Sequence, residues 1–237
     1  MKWLERAELL CKTEGLQKLQ NSKVLVVGMG GVGSFATEFL ARAGVGSLTL
    51  VDGDVVDITN INRQLPALHS TVGLAKVEVV KQRILDINPA LNLTIYQEFL
   101  SPERAFELVS SEFDYVLDCI DSITPKLNLI LAAKRKKVKI ISAMGAGGKF
   151  EASKVTVADI SKTEYCPLAK TIRKRLKKEG ISSGVKVVFS TEPPDESSLK
   201  MTDGLNFKKS FYGTNSWMPA LFGLYAAETV VKYLLKR

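Results

Sequence analysis

The stretch that decides the fold is residues 23–52, KVLVVGMGGVGSFATEFLARAGVGSLTLVD. Its apolar run from Val24 to Val27 is typical of a strand buried on both faces, as in parallel sheets. A glycine-rich turn follows, and then a helical pattern for which Gly44 is the stop signal. A second apolar run ends in Asp52. The predicted order is therefore strand, glycine turn, helix, strand and acid.

The turn has the GxGxxG spacing of nucleotide-binding proteins, with Gly28, Gly30 and Gly33 at the three positions and Gly31 between them. Glycine suits this turn because it tolerates unusual dihedral angles and lets a phosphate approach bare backbone. The helix that follows presents free N–H groups and the positive end of its dipole to an anion. Asp52 lies at the spacing expected for a carboxylate that binds ribose hydroxyls. We expect a nucleotide here; the alternative is a tight turn without a ligand.

Strands and helices alternate from residue 23 to Gly145. This alternation predicts an α/β fold, a doubly wound Rossmann-like sheet that is mostly parallel, with helices on both faces. Residues 3–20 indicate a leading helix with Gly15 as its candidate break point. We predict one domain, divided into an N-terminal helical segment (1–22), a nucleotide-binding core (23–145) and a C-terminal acceptor-binding part (146–237). That last part is predicted to hold short strands at 155–157 and 185–189, a basic helix at 167–178, an irregular loop at 193–211 and an apolar final helix at 217–235.

The composition narrows the class of protein. A formal charge of +8 over 237 residues is common in proteins that bind nucleic acid, and also in proteins that do not. The three cysteines, Cys11, Cys119 and Cys166, form no CxxC pair, so we expect no zinc and predict a reducing, cytoplasmic location. The apolar C-terminal run contains Glu228 and Lys232. We therefore interpret it as a buried helix and expect no stable membrane association.

Several candidate binding residues follow the predicted strands directly. The carboxyl ends of parallel strands line the ligand crevice of such sheets, and Asp52, Asp54 and Asp121 fall there, with the segment TNINRQ (59–64) and Lys76 able to close over it. Cations beside a carboxylate that can hold Mg²⁺ suit a triphosphate whose pyrophosphate must leave. Arg63, Lys76 and Asp121 are the candidates. The alternatives are a surface ion pair for Arg63, a solvated helix residue for Lys76 and a helix N-cap for Asp121.

Four ordered motifs extend this interpretation: GMGGVGS, LVDGDVVDITNINRQ, GLAK and DCIDS. Together they resemble the ThiF/MoeB/HesA adenylyltransferases, the bacterial relatives of ubiquitin-activating enzymes. The resemblance implies activation of a carboxylate by adenylation with ATP and Mg²⁺, release of pyrophosphate, and a homodimer. It implies catalytic roles for Arg63, Lys76, Asp121 and Arg6, with Asp121 at the metal and Arg6 reaching the ATP of the partner subunit. The implied ATP-binding residues are Gly28, Gly30, Gly31, Gly33, Asp52, Asp54, Asn60, Asn62 and Gln64.

The second half of the chain resembles one branch of that family. Sulfur-carrier activators commonly have two CxxC pairs, which are absent here. The segments AGGKFEASKVTVADISKT, PLAKTIRKRLKK and VVFSTEPP are instead similar to the tRNA threonylcarbamoyladenosine dehydratases. That branch adenylates the threonylcarbamoyl carboxylate on a tRNA adenosine beside the anticodon and promotes ring closure with net loss of water. The resemblance implies tRNA as partner, and sulfur-relay proteins are further candidate partners.

The basic helix agrees with an RNA partner. Its cations Arg173, Lys174, Arg175 and Lys177 are suited to RNA phosphates, although a single basic run is more often a solvated helix face. Three rival functions remain open at this point. They are adenylation of a ubiquitin-like sulfur carrier, nicotinamide-dependent oxidoreduction, and nucleotide binding without catalysis.

Overall fold

The computed structural model describes residues 2–202 and 210–236. Its helices are α1 (Glu5–Gln20), α2 (Gly33–Arg42), α3 (Lys76–Ile87), α4 (Pro102–Leu108), α5 (Ile123–Arg135), α6 (Pro167–Lys178) and α7 (Trp217–Leu234). Its strands are β1 (Lys23–Val27), β2 (Ser47–Val51), β3 (Asn92–Tyr96), β4 (Tyr115–Asp118), β5 (Lys139–Ala143), β6 (Val155–Asp159), β7 (Lys186–Ser190), β8 (Leu199–Met201) and β9 (Ser210–Tyr212).

Seven strands form one sheet in the order β3-β2-β1-β4-β5-β7-β6. All neighbouring pairs are parallel except β6 with β7, which is antiparallel. The strand order reverses between β1 and β4, and such a reversal opens a crevice at the carboxyl ends of the two strands. The predicted doubly wound, mostly parallel sheet is confirmed.

Helices cover both faces of the sheet, as predicted. Side chains of α2, α3 and α7 share one buried cluster with residues of β1 and β2. Side chains of α4, α5 and α6 form a second cluster on the other face. The apolar final helix is packed rather than free, because Met218, Phe222 and Val230 have no exposed surface. Within the described part of the chain, no helix is long and apolar enough to cross a membrane.

Two local predictions were wrong. The leading helix does not break at Gly15 but is interrupted at Lys12, whose φ of 65° lies in the left-handed region. The predicted irregular loop at 193–211 contains an antiparallel pair, β8 with β9, although residues 203–209 of that prediction lie outside the described residues. The basic helix, in contrast, spans residues 167–178 as predicted.

Candidate active site

The glycine turn after β1 contains glycines at which a side chain would clash and one at which it would not. Gly28 has φ +95°, and a Cβ there would lie 2.8 Å from the Cys119 carbonyl oxygen. A Cβ on Gly33 would lie 1.7 Å from the Gly28 oxygen, and one on Gly31 would lie 2.8 Å from Pro219. A Cβ on Gly30 would meet nothing closer than 3.8 Å. Gly30 is therefore the position where a ligand can approach bare backbone.

Asp52 holds this turn against the end of β2. Its carboxylate accepts the backbone N–H of Met29 at 2.5 Å and that of Asp54 at 2.7 Å. Burial raises the pKa of Asp52, and the charge of Lys76 partly opposes that rise. Each carboxylate oxygen keeps a further lone pair. Asp52 therefore stabilises the turn and can still accept a hydrogen bond from a ribose hydroxyl.

Lys76 is buried at the first residue of α3. Its side chain is 6% exposed, and its ammonium lies 2.9 Å from the Asp54 carboxylate, which is 46% exposed. The alternative that Lys76 is a solvated helix residue is therefore wrong. A desolvated ammonium beside a more exposed carboxylate can turn toward a phosphate oxygen with little further loss of water.

The segment from Asp57 to Gln64 folds into a fixed turn beside the glycines. Asp57 accepts the backbone N–H of Thr59 at 2.8 Å, and the buried Asn60 accepts the N–H of Asp57 at 3.2 Å. Asn60 thus caps the turn. It has a structural role in addition to the ATP-binding role that we expect for it.

Arg63 projects from this turn toward the end of β4. Its guanidinium donates to the Thr59 carbonyl at 2.9 Å and to Asn62 Oδ1 at 2.7 Å. Burial lowers the pKa of Arg63, and the charge of Asp121 opposes that effect. Asn62 in turn donates to the Thr214 carbonyl at 2.8 Å, which ties the segment to the residues before α7.

Gln64 supplies the clearest sign of a missing partner. Its Oε1 is buried and accepts no hydrogen bond, and its amide atoms lie 3.8–4.0 Å from where a Gly30 Cβ would stand. A buried acceptor without a donor is costly. The hydroxyl or amino groups of a nucleotide bound against Gly30 are donors of the right kind.

Asp121 lies in the exposed turn between β4 and α5. The residue at the N-cap position of α5 is Ser122, so the N-cap alternative for Asp121 is wrong. Across residues 2–202 and 210–236, no group of three or more His, Cys, Asp or Glu side chains is arranged to hold a metal. Mg²⁺ in phosphate-transfer sites commonly takes one or two carboxylates together with substrate phosphates and waters, and Asp121 beside Arg63 can supply such a carboxylate.

The sequence interpretation missed a buried network below this turn. Lys126 Nζ and Asp118 Oδ2 are 2.7 Å apart, and neither side chain is exposed. Lys126 also donates to the Ala143 carbonyl at 2.9 Å, and the Ser142 hydroxyl donates to Asp118 Oδ2 at 2.5 Å. The signal in the sequence was a lone lysine within the apolar face of a predicted helix.

The other candidate residues lie outside the crevice. Arg6 is exposed on α1. Arg173 is half-buried and donates to the Thr163 carbonyl at 2.7 Å, so its guanidinium is partly engaged within the protein. Lys174, Arg175 and Lys177 are exposed and are called the α6 cation group below. Cys166 is buried at the N-cap of α6, and burial raises the pKa of Cys119 to about 12.

Comparison with known proteins gives the family of the chain. The model of the ThiF family matches residues 4–237. The chain belongs to the ThiF family. Among ThiF-family relatives, the tRNA threonylcarbamoyladenosine dehydratase of Bacillus subtilis is 44% identical over 98% of this chain and 94% of its own length. That of Haemophilus influenzae is 37% identical over 94% of this chain and 90% of its own length.

Solved structures with bound nucleotide have the same fold. The Escherichia coli tRNA N6-threonylcarbamoyladenosine dehydratase, TcdA, in complex with ATP superimposes with a TM-score of 0.90 at 36% identity. The match covers 99% of this chain and 94% of that one. An adenylyltransferase and sulfurtransferase of Vanderwaltozyma polyspora is 41% identical over 140 residues, which are 59% of this chain and 32% of its own length.

Proposed function

We propose that this chain is an ATP-dependent tRNA threonylcarbamoyladenosine dehydratase. The observation that carries the proposal is the extent of the similarity, because the relatives that bear this name align along nearly the whole chain and nearly their own whole length. The residues of the crevice suit the same chemistry. Gly30 leaves room for a ligand, and the buried Gln64 Oε1 has no hydrogen-bond donor. The cations Lys76 and Arg63 each have a carboxylate as a charge partner.

The reaction follows in two steps. A carboxylate oxygen of the threonylcarbamoyl group attacks the α-phosphorus of ATP, and pyrophosphate leaves to give an acyl-adenylate. A nucleophilic atom of the same modification then attacks the activated carbonyl carbon, loses its proton and displaces AMP. One carboxylate oxygen leaves with AMP, so the nucleoside loses the atoms of one water. No protein thiol takes part in either step.

Different residues of the crevice would bind different parts of ATP. The turn from Gly28 to Gly33 and the Gln64 amide would bind the nucleotide, with Asp52 on the ribose. Arg63 would bind phosphate oxygens as a fork and Lys76 as a point charge, each favouring the departing pyrophosphate. Asp121 would hold Mg²⁺ together with phosphate oxygens, and this ion would neutralise charge on the triphosphate.

The α6 cation group would bind the RNA backbone. Its three side chains are exposed and lie within about one turn of one helix, where they can contact a phosphate backbone. Arg173 would contribute less than its neighbours because it already donates to the Thr163 carbonyl. Because the proposed substrate is tRNA, we also propose a cytoplasmic location.

We further propose a homodimer. Large aliphatic side chains are 42–56% exposed along the segment 55–74, and Leu9 and Leu10 of α1 are 71% and 73% exposed. Exposed aliphatic side chains in these two segments are surface that a second copy would cover. In such a dimer Arg6 of α1 would be the candidate that reaches the ATP of the partner subunit. The exposed aliphatic residues of the segment are Val55, Ile58, Leu68, Val72 and Leu74.

A second candidate function is adenylation of a ubiquitin-like sulfur carrier. The specific observation in its favour is the 41% identity with an adenylyltransferase and sulfurtransferase, and this similarity is confined to 140 residues. In that case the carboxylate would be the C-terminus of a small protein. Sulfur-relay proteins would then be the partners to expect.

The deciding experiment is mass spectrometry of nucleosides from tRNA that carries threonylcarbamoyladenosine. We expect loss of one water from that nucleoside after incubation with the protein, ATP and Mg²⁺, and no loss when ATP is omitted. An unchanged nucleoside, with ATP–pyrophosphate exchange only when a small carrier protein is added, would establish the second candidate. An unchanged nucleoside without exchange would refute both.

A further inference from the structure

The buried pair of Lys126 and Asp118 is not explained by stability. Both side chains are fully buried, and removing two charges from water costs more than their attraction commonly returns. A well-packed apolar pair in the same volume would serve the core as well or better. The network also satisfies all its members, since the ammonium has three acceptors, in Asp118, Ser142 and the Ala143 carbonyl. Such a network fixes one arrangement of the groups it joins.

The groups it joins are the strand ends that build the crevice. Asp118 is the last residue of β4 and Ala143 is the last residue of β5. The second oxygen of Asp118 accepts the backbone N–H of Ile120 at 3.1 Å, so the carboxylate fixes the beginning of the turn that leads to Asp121.

The same turn also packs against the glycine turn. The Cys119 N–H donates to the Val27 carbonyl at 2.9 Å, and the Cys119 carbonyl is the atom that a Cβ on Gly28 would meet. A shift of the residues after β4 would therefore move both the Asp121 carboxylate and the glycine turn.

We propose that Lys126 is a positioning residue for ATP turnover. Through Asp118 it fixes residues 119–121, the turn that carries the Asp121 carboxylate. Lys126 does not touch the nucleotide, since its ammonium is enclosed and its hydrogen bonds are used within the network. The inference rests on the proposed function for its reaction, but ATP binding tests it independently.

The test removes both charges together. In Asp118→Asn/Lys126→Met no unpaired charge is left in the core, so we expect a folded protein with the far-UV circular dichroism of the wild type. We expect ATP to bind more weakly by isothermal titration calorimetry, and ATP-dependent pyrophosphate release with modified tRNA to slow by about 10-fold to 100-fold, as when supporting residues of a site are lost. Leu129→Ala, at a fully buried position of the same helix, is the control for lost α5 packing and should lower the melting temperature while keeping ATP affinity.

The outcomes separate the positioning role from a structural one. Wild-type ATP affinity and turnover in the double variant would overturn the proposal, and so would an equal loss of ATP affinity in Leu129→Ala. If the double variant does not fold, Ser142→Ala keeps both charges and removes the hydroxyl that donates to Asp118 and accepts from Lys126. Its turnover should fall several-fold below that of Leu129→Ala, and turnover equal to that of the wild type would overturn the proposal. If the wild type binds ATP but releases no pyrophosphate with tRNA, the proposed function fails, and the ATP affinities still decide the role of Lys126.

Discussion

Two glycines of the same turn should respond in opposite ways to the same added methyl group. A Cβ on Gly33 would lie 1.7 Å from the Gly28 oxygen, half the 3.4 Å at which ordinary contact begins. A Cβ on Gly30 would lie 3.8 Å from the nearest atom, in the Gln64 side chain. Gly33→Ala should therefore damage the fold, whereas Gly30→Ala should damage the ATP site.

The magnitudes follow from these contacts. The Gly33 methyl meets backbone rather than a flexible side chain, so we expect a loss of about 3 kcal/mol, at the upper end for overpacking. For a chain of this size that lowers the melting temperature by roughly 6–12 °C. Gly30→Ala should change the free energy of unfolding by less than about 1 kcal/mol. A hydrogen bond to a phosphate that the methyl prevents is worth about 1.5–3 kcal/mol, so ATP should bind roughly 10- to 150-fold more weakly.

Thermal denaturation followed by circular dichroism measures the first effect, and isothermal titration calorimetry with ATP measures the second. Each variant is the control for the other, because both add one methyl group to the same turn. Wild-type ATP affinity in Gly30→Ala would refute the inference that this glycine faces the phosphates. A wild-type melting temperature in Gly33→Ala would show that the turn is not packed as described.

Three further predictions concern charges and a thiol. Arg63→Ala should slow pyrophosphate release by roughly 100-fold or more. The control Arg83→Ala removes an ion pair with Glu38 away from the crevice and should leave the rate unchanged. Equal rates in the two variants would contradict the assignment of Arg63 to the ATP site. Replacing the α6 cation group by glutamates should weaken tRNA binding and leave ATP affinity unchanged. The slope of log binding constant against log salt concentration should become shallower by about 2–3. Replacement of the cations at 135–137 by glutamates is the matched control. Because burial raises the pKa of Cys119 to about 12, its thiol should stay neutral at pH 8 and react slowly with iodoacetamide in the native protein, as peptide mass spectrometry can follow. Rapid labelling of Cys119 at pH 8 would contradict this raised pKa.

Much of the fold follows from local patterns that the sequence displays directly. The buried runs of β1 and β2, the glycine turn and the limits of α6 are set by periodicity and by residues such as Pro167 at a helix start. The break in α1 could not be predicted this way, because Lys12 carries no local signal for a positive φ whereas Gly15 does.

The sequence indicates which residue types could form the site, but not which of these residues contact one another. Strand-end carboxylates and nearby cations can be found in the sequence, but the sequence does not show that Lys76 is buried against Asp54 or that Arg173 turns to Thr163. Lys126 was missed for the same reason. Its burial depends on Asp118 and Ser142, which belong to two neighbouring strands and meet it only in the folded protein.

We expect the choice of acceptor to lie largely in residues 146–237. The adenylyltransferase and sulfurtransferase aligns over 140 residues, which is too few to include both the core of residues 23–145 and the whole of residues 146–237. The crevice residues discussed above lie within residues 23–145, and the proposed adenylation of either acceptor would use them. Substitutions there should therefore abolish pyrophosphate release with any acceptor, whereas substitutions in the α6 cation group should abolish it only with tRNA. If reversal of the α6 cation group weakened ATP binding as much as tRNA binding, the two parts would not be separable and acceptor choice would have to reside in the crevice itself.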